Sequence, residues 1–332
     1  MSDKVEETSE EEINISNNSL AKIFSYSNYD NQLKNGSPFL PYNLQGSPIS
    51  FIYKTDKNIE KLTNQLEEKN NEVKKLREEL KQKGENNELL NKLHKEEEEQ
   101  KKIIELKYLL TRIHPIAPSN LLEPNNILLS KFSNNESVEM TVMSIDIRKS
   151  TELMLKAITP DKYAEFIFGL TEGLKKIVVN KFGVFDKFTG DGILAYFPIF
   201  YSGENGILNC CITSQECHDF FNDYYRKYYD NFSVVLDTGL GIGIDHGIVK
   251  IVTINNEQTI VGSSVVYACR LSGAPAGKTY LNRTAFKNIT KYGINSKEAR
   301  MEIKGEGNII VYELERIVGK DIIIPDWVKN IF

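Results

Sequence analysis

No apolar run in this 332-residue chain approaches the ~20 residues of a membrane span, which argues against a membrane-embedded protein. Lysine and arginine nowhere gather into a basic arm, and a formal charge of −5 gives no general attraction to nucleic acid. Cysteine is scarce: Cys210, Cys211, Cys217 and Cys269 contain no CxxC doublet, so neither a zinc site nor a disulfide framework is indicated. They are expected to be reduced core thiols. The N-terminus lacks the basic-then-apolar order of a signal peptide, and the expected location is the cytoplasm. The histidines His94, His114, His218 and His246 have no catalytic partner near them in sequence, and surface or structural roles are expected for all of them.

What is present is unevenly distributed. Residues 1–54 run from an acidic cluster into an Asn-, Ser- and Tyr-rich tract with Pro38, Pro41 and Pro48, a composition that predicts disorder. Residues 55–114 turn to Glu, Lys, Leu and Asn. Ile59, Leu62, Leu66, Val73, Leu76 and Leu80 follow steps of three and four, with Lys69 filling one seam position. That is a coiled-coil heptad, and the sustained seam favours a parallel dimer. The run after Gly84 interrupts it, and Ile103, Leu106, Leu110 and Ile113 resume the spacing until Pro115.

Beyond a linker at 115–136, residues 137–317 read as one mixed domain, followed by a tail at 318–332. Strands are expected at 138–146, in a hairpin at 183–198, and at 233–244, 247–254 and 277–281; helices at 160–181, 203–229 and 262–273; then a short helix and a final strand pair. Strand, helix, hairpin, helix, strand is the ferredoxin-like order of an α+β sandwich, with one sheet face for helices and the other free for partners. The aromatic cluster Phe220 to Tyr229 falls at helical spacing and is expected to pack in the core.

Two carboxylates stand out. Asp191 sits in Lys187-Phe188-Thr189-Gly190-Asp191-Gly192, a glycine turn between two apolar runs, and Asp146 ends the run Met140 to Ile145. Acids at strand ends, with glycine beside one so that a ligand can approach the backbone, suit hard divalent cations and phosphate chemistry.

Taken in order, Ser144-Ile145-Asp146-Ile147-Arg148-Lys149-Ser150-Thr151, Lys187 to Gly192, Gly241-Ile242-Gly243-Ile244-Asp245-His246-Gly247, Val261-Gly262 through Arg270-Leu271, and Ile303-Lys304-Gly305-Glu306-Gly307 resemble the catalytic domain of class III nucleotide cyclases, the adenylate and guanylate cyclase family. The match covers residues 137–317. It implies a cyclase that converts a nucleoside triphosphate to its 3′,5′-cyclic monophosphate and pyrophosphate. Asp146 and Asp191, with the Ile147 carbonyl, would hold two Mg²⁺ or Mn²⁺ ions, Arg270 would meet charge developing at the phosphate, and Lys304 would contact the terminal phosphates. Lys187 and Thr259 fall at the base-reading positions.

The resemblance places metal ligands and base readers on different domains of a pair, which implies a head-to-tail homodimer, and it implies a cyclic-nucleotide-binding effector downstream. One residue departs from the pattern: Val266 stands where the family has an asparagine that orients the ribose, and valine makes no such hydrogen bond. A second resemblance is to the stand-alone pyrimidine cyclases of bacterial antiphage defence. The base is left between ATP and a pyrimidine triphosphate, UTP or CTP. The other functional class is a catalytically inactive cyclase-fold coiled-coil interaction protein, and the lack of a GGDEF-like segment argues against a diguanylate cyclase.

Overall fold

The apolar run Met140 to Ile145 becomes the middle of strand β1, Ser137–Arg148, at the centre of an eight-stranded sheet. This is a computed structural model that describes residues 48–83, 86–121, 127–133, 135–233, 237–254 and 257–329. The expected disorder falls, for residues 1–47, outside the described residues.

After β1 come helices α5, Ser150–Lys156, and α6, Pro160–Asn180; the four helices that precede β1 among the described residues are given below. The hairpin β2, Val184–Phe188, and β3, Ile193–Pro198, leads through the short α7, Ile199–Ser202, into α8, Gly206–Lys227. The chain continues through β4, Gly239–Ile254, β5, Glu257–Val261, α9, Ser263–Leu271, β6, Lys278–Leu281, and α10, Arg283–Ile289. It ends in the hairpin β7, Ser296–Ile303, and β8, Gly307–Leu314, and the short α11, Asp326–Lys329. The sheet order is β2-β3-β1-β4-β6-β8-β7, with β5 paired to β4 beside this path. Its first four strands have the expected ferredoxin-like order, and β4 with β6 is the parallel pair.

One face of the sheet packs on α6 and α8 through Leu170, Leu174, Val178, Ile207, Cys211 and Phe221, all buried. Phe166 meets Tyr224, Tyr225, Tyr228 and Phe232 at ring distances of 5.0 to 6.2 Å, so the aromatic cluster packs on the core as expected, except for Tyr229, which is exposed. Cys210, Cys211 and Cys217 are buried free thiols, whereas Cys269, expected in the core, is exposed on α9.

The other face, expected to be open for partners, is covered. Leu109, Leu110, Ile113, Leu121, Phe132 and Val328 are buried against it, drawn from the segment before β1 and from the C-terminal tail. Two short helices lie in the stretch expected as a linker, α3, Pro118–Leu121, and α4, Ile127–Ser133. Trp327 in the tail donates from Nε1 to the Tyr201 carbonyl at 2.6 Å and stacks on that ring. Burial on both faces explains why β1 and β3 are apolar without alternation.

Residues 48–54, expected to be disordered, belong to a helix, and β5 and α5 fall where neither is expected; the other differences are in β4 and the heptad segment. Residues 239–254 form one continuous strand rather than two strands about a turn at Asp245-His246. His246 therefore lies in the sheet opposite Thr141, with Nδ1 2.9 Å from Thr141 Oγ1 and Nε2 2.9 Å from Glu139.

The heptad segment forms α1, Pro48–Lys83, and α2, Asn87–Leu110, which lie antiparallel against each other. Val73 and Leu76 are buried with Leu93, and Leu80 and Leu89 pack against that cluster, so the apolar seam closes within the chain rather than across a parallel dimer. Lys69, the polar residue in the seam, donates to Glu96 at 2.6 Å and to Glu99 at 2.7 Å on the opposing helix.

Candidate active site

Register places the first pair of acids. In the β1–β3 ladder Ile145 lies opposite Ile193, so Asp146 extends one step beyond that pair while Asp191 precedes it by two residues in the β2–β3 turn. The turn closes with the Thr189 N–H donating to the Gly192 carbonyl at 2.9 Å, and Gly190 adopts φ 86°. Gly192 lies against β1 so tightly that a Cβ there would be 2.1 Å from the Ile145 carbonyl oxygen. Only glycine brings the turn this close, and the closeness sets Asp191 beside Asp146.

Burial and then the negative charge of Asp191 push the Asp146 carboxyl above its ordinary range, with the Arg148 guanidinium, 2.7 Å away, opposing. Two mutually repelling carboxylates at strand ends fit a hard cation. Among the described residues no group of three or more His, Cys, Asp or Glu side chains gathers, so the remaining ligands would be backbone carbonyls such as that of Ile147, water or phosphate oxygens. The Ile147 side chain is buried.

A second pair joins β2 to β5. Lys187 Nζ donates to Thr259 Oγ1 at 2.9 Å, and the Thr259 hydroxyl donates to Asp186 Oδ2 at 3.0 Å. The two base-reading candidates, 72 residues apart in sequence, are thus in direct contact. Asp186 was not singled out from the sequence. It occupies the bulge between Phe185 and Lys187 in β2, and burial pushes its carboxyl up to about 6. Its one sequence signal is a carboxylate among the buried residues of an apolar strand.

A third group lies on α9 and the β7–β8 turn. Arg270 forms an ion pair with Glu306, which also accepts from the Tyr267 hydroxyl at 3.1 Å. Val266, one helical turn before Arg270, is 48% exposed. Lys304 is exposed in the same turn as Glu306. Among the described residues no hydrogen bond or ion pair joins these three groups to one another.

Solved structures that resemble this architecture include an adenylyl and a guanylyl cyclase. The adenylyl cyclase CyaB from P. aeruginosa matches with 18% identity and a TM-score of 0.50 over 57% of this chain and 98% of that one. The guanylyl cyclase Cya2 matches with 16% identity and a TM-score of 0.50, over 57% of this chain and 99% of that one. No protein-family model and no curated protein matches the chain. The chain carries the class III nucleotide cyclase fold. An adenylyl and a guanylyl cyclase share that fold, so the fold does not select the base. Among the described residues no helix is long and apolar enough to cross a membrane.

Proposed function

We propose that the chain is a nucleotide cyclase acting at a site built between two head-to-tail copies. The observation that supports this most is the convergence of Asp146 and Asp191, brought together by register and by the close approach of Gly192. In the reaction the ribose 3′-oxygen forms a bond to the α-phosphorus, the bond from that phosphorus to the β-bridging oxygen breaks, the hydroxyl proton leaves to water, and pyrophosphate departs. Two Mg²⁺ or Mn²⁺ ions held by Asp146, Asp191 and the Ile147 carbonyl would acidify the 3′-hydroxyl and offset charge on the leaving group.

This chain's own groups do the rest. Arg270 offers a planar fork to the phosphate oxygens, Lys304 offers a point charge to the terminal phosphates, and Lys187 with Thr259 addresses the base. The base is that of ATP or of a pyrimidine triphosphate. The product is a second messenger for a cyclic-nucleotide-binding effector, and the antiphage setting rests on the sequence resemblance.

Purified protein incubated with each of the four nucleoside triphosphates and Mn²⁺ or Mg²⁺ tests the proposal. Cyclic product with at least one base is expected, and none with any base would sink it. A second reading, an inactive cyclase-fold interaction protein, draws on Val266 at the ribose position and on the Arg270–Glu306 ion pair.

A further inference from the structure

The contact between Lys187 and Thr259 has a third member, and proton bookkeeping gives it a role. A lysine ammonium cannot accept a hydrogen bond, an ionised carboxylate cannot donate one, and a hydroxyl has a single proton. The bonds Lys187 to Thr259, 2.9 Å, and Thr259 to Asp186, 3.0 Å, therefore run in one direction. The Thr259 proton is committed to Asp186, whose side chain is 0% exposed, and what Thr259 has left for a ligand is a lone pair. Lys187 keeps its other protons and is 49% exposed.

The pair thus presents one donor and one pure acceptor. Thr259 is short, half-buried and held from both sides, whereas Lys187 is long and half-exposed. A base facing this pair would bring the group that projects furthest from the ribose, the exocyclic substituent at purine C6 or pyrimidine C4, to the fixed hydroxyl and the adjacent ring nitrogen to the ammonium. An exocyclic amine and an unprotonated ring nitrogen satisfy both. A carbonyl beside a ring N–H sets acceptor against acceptor and donor against donor.

With Lys187 and Thr259 taken as the base-facing pair of the proposed cyclase, we propose that Asp186 is a positioning residue for specificity: it fixes the Thr259 hydroxyl as an acceptor and commits the site to amino-bearing bases, adenine or cytosine, over guanine and uracil. UTP is thereby disfavoured among the pyrimidines.

Burial raises the Asp186 carboxyl pKa to about 6, and the group faces Lys187 on its own strand, Tyr108 at the end of α2, Arg112 just beyond it, Tyr196 on β3 and the Thr259 hydroxyl on β5. Once protonated, it can donate to Thr259 and release that hydroxyl to point its proton at a ligand.

The test is equilibrium binding of the four 3′-deoxynucleoside triphosphates with Mn²⁺ to the full chain, since ligands without a 3′-hydroxyl cannot cyclise. The wild type is expected to bind the adenine and cytosine ligands roughly ten- to hundredfold more tightly than the guanine and uracil ligands. Asp186→Leu, which removes the acceptor, is expected to bring the four within about threefold of one another. Asp186→Asn, whose amide can turn either way, narrows the preference and serves if the leucine variant does not fold. Lowering the pH from about 7.5 to about 5.5 should narrow it in the wild type and leave Asp186→Leu unchanged.

Equal wild-type affinity for all four bases, a guanine or uracil preference, no binding at all, or an unaltered preference in the folded variants overturns the proposal. A preserved amino-base preference in a protein that makes no cyclic product would sink the cyclase reading and leave this one standing.

Discussion

Asp186→Asn should change how stability depends on pH, by an amount that follows from where the carboxyl sits. Burial raises its pKa from 3.8 to about 6, against the opposing pull of Thr259, Lys187 and Arg112. A group whose folded pKa lies above its unfolded one is bound to more protons in the fold. Its contribution to stability is therefore fully present below about pH 4 and is lost as the pH rises through about 6. A separation of about two pH units corresponds to about 3 kcal/mol, of which about 2 kcal/mol falls between about pH 4.5 and about pH 7.5. Asparagine does not titrate, so over that interval the variant should gain about 2 kcal/mol relative to the wild type. Urea denaturation of both proteins at the two pH values measures the difference, and the other carboxylates cancel in it. A difference that stays constant with pH would refute the reasoning, because it would mean that the carboxyl is solvated in the fold.

The remaining predictions concern the acids, the glycine, the dimer and the helical pair. Asp146→Asn removes a group already pushed toward protonation by burial and by Asp191, so cyclic-nucleotide formation should fall at least about a thousandfold while the thermal midpoint holds or rises. Mixing inactive Asp146→Asn chains with inactive Lys187→Ala chains should restore turnover, because a head-to-tail pair then contains one intact site; no recovery would place the site within one chain. Gly192→Ala drives a Cβ into the Ile145 carbonyl and should cost about 1–3 kcal/mol in denaturant titration, along with metal-dependent activity. Leu76→Ala empties part of the seam between α1 and α2 and should cost about 2 kcal/mol locally, read as faster amide hydrogen exchange in those helices with the sheet unaffected.

The strands that carry the acids were legible because both are nearly continuous apolar runs ended by a single carboxylate. β4 was not, because Asp245-His246-Gly247 has the composition of a turn. The strand persists there through distant partners: Asp245, 3% exposed, accepts from the Thr284 hydroxyl, and His246 is held by Thr141 and Glu139. The heptad was legible, but its partner was not, since the same spacing serves a parallel dimer and an antiparallel pair within one chain. Here the charges decide, with Lys69 answered by Glu96 and Glu99 on α2. Asp146, Asp191, Lys187 and Arg270 stood out because each lies in a short motif, and Thr259 by its place two residues before one. Asp186 did not, and the motif that holds Glu306 gave no sign of its pairing, because what defines each is a partner 73 and 36 residues away.

The Arg270–Glu306 pair bears on whether the site is idle, and magnitudes separate the readings. The two side chains are 38% and 34% exposed, and an ion pair that open to water is worth about 0–1 kcal/mol. A triphosphate brings several charges to the same guanidinium and can meet it with two oxygens at once, a stronger contact than one solvated carboxylate makes. Glu306 also sits between Gly305 and Gly307, both at positive φ, so the turn that carries it is not held by side-chain packing on either side. In the proposed cyclase the pair would therefore restrain Arg270 in the free chain and give way to a triphosphate. Val266 points the same way, since at 48% exposure it fills no core position that would require an apolar residue. In the proposed cyclase, an exposed valine on the helical face that carries Arg270 would alter how the ribose is held and would leave the packing that brings Asp146 and Asp191 together untouched.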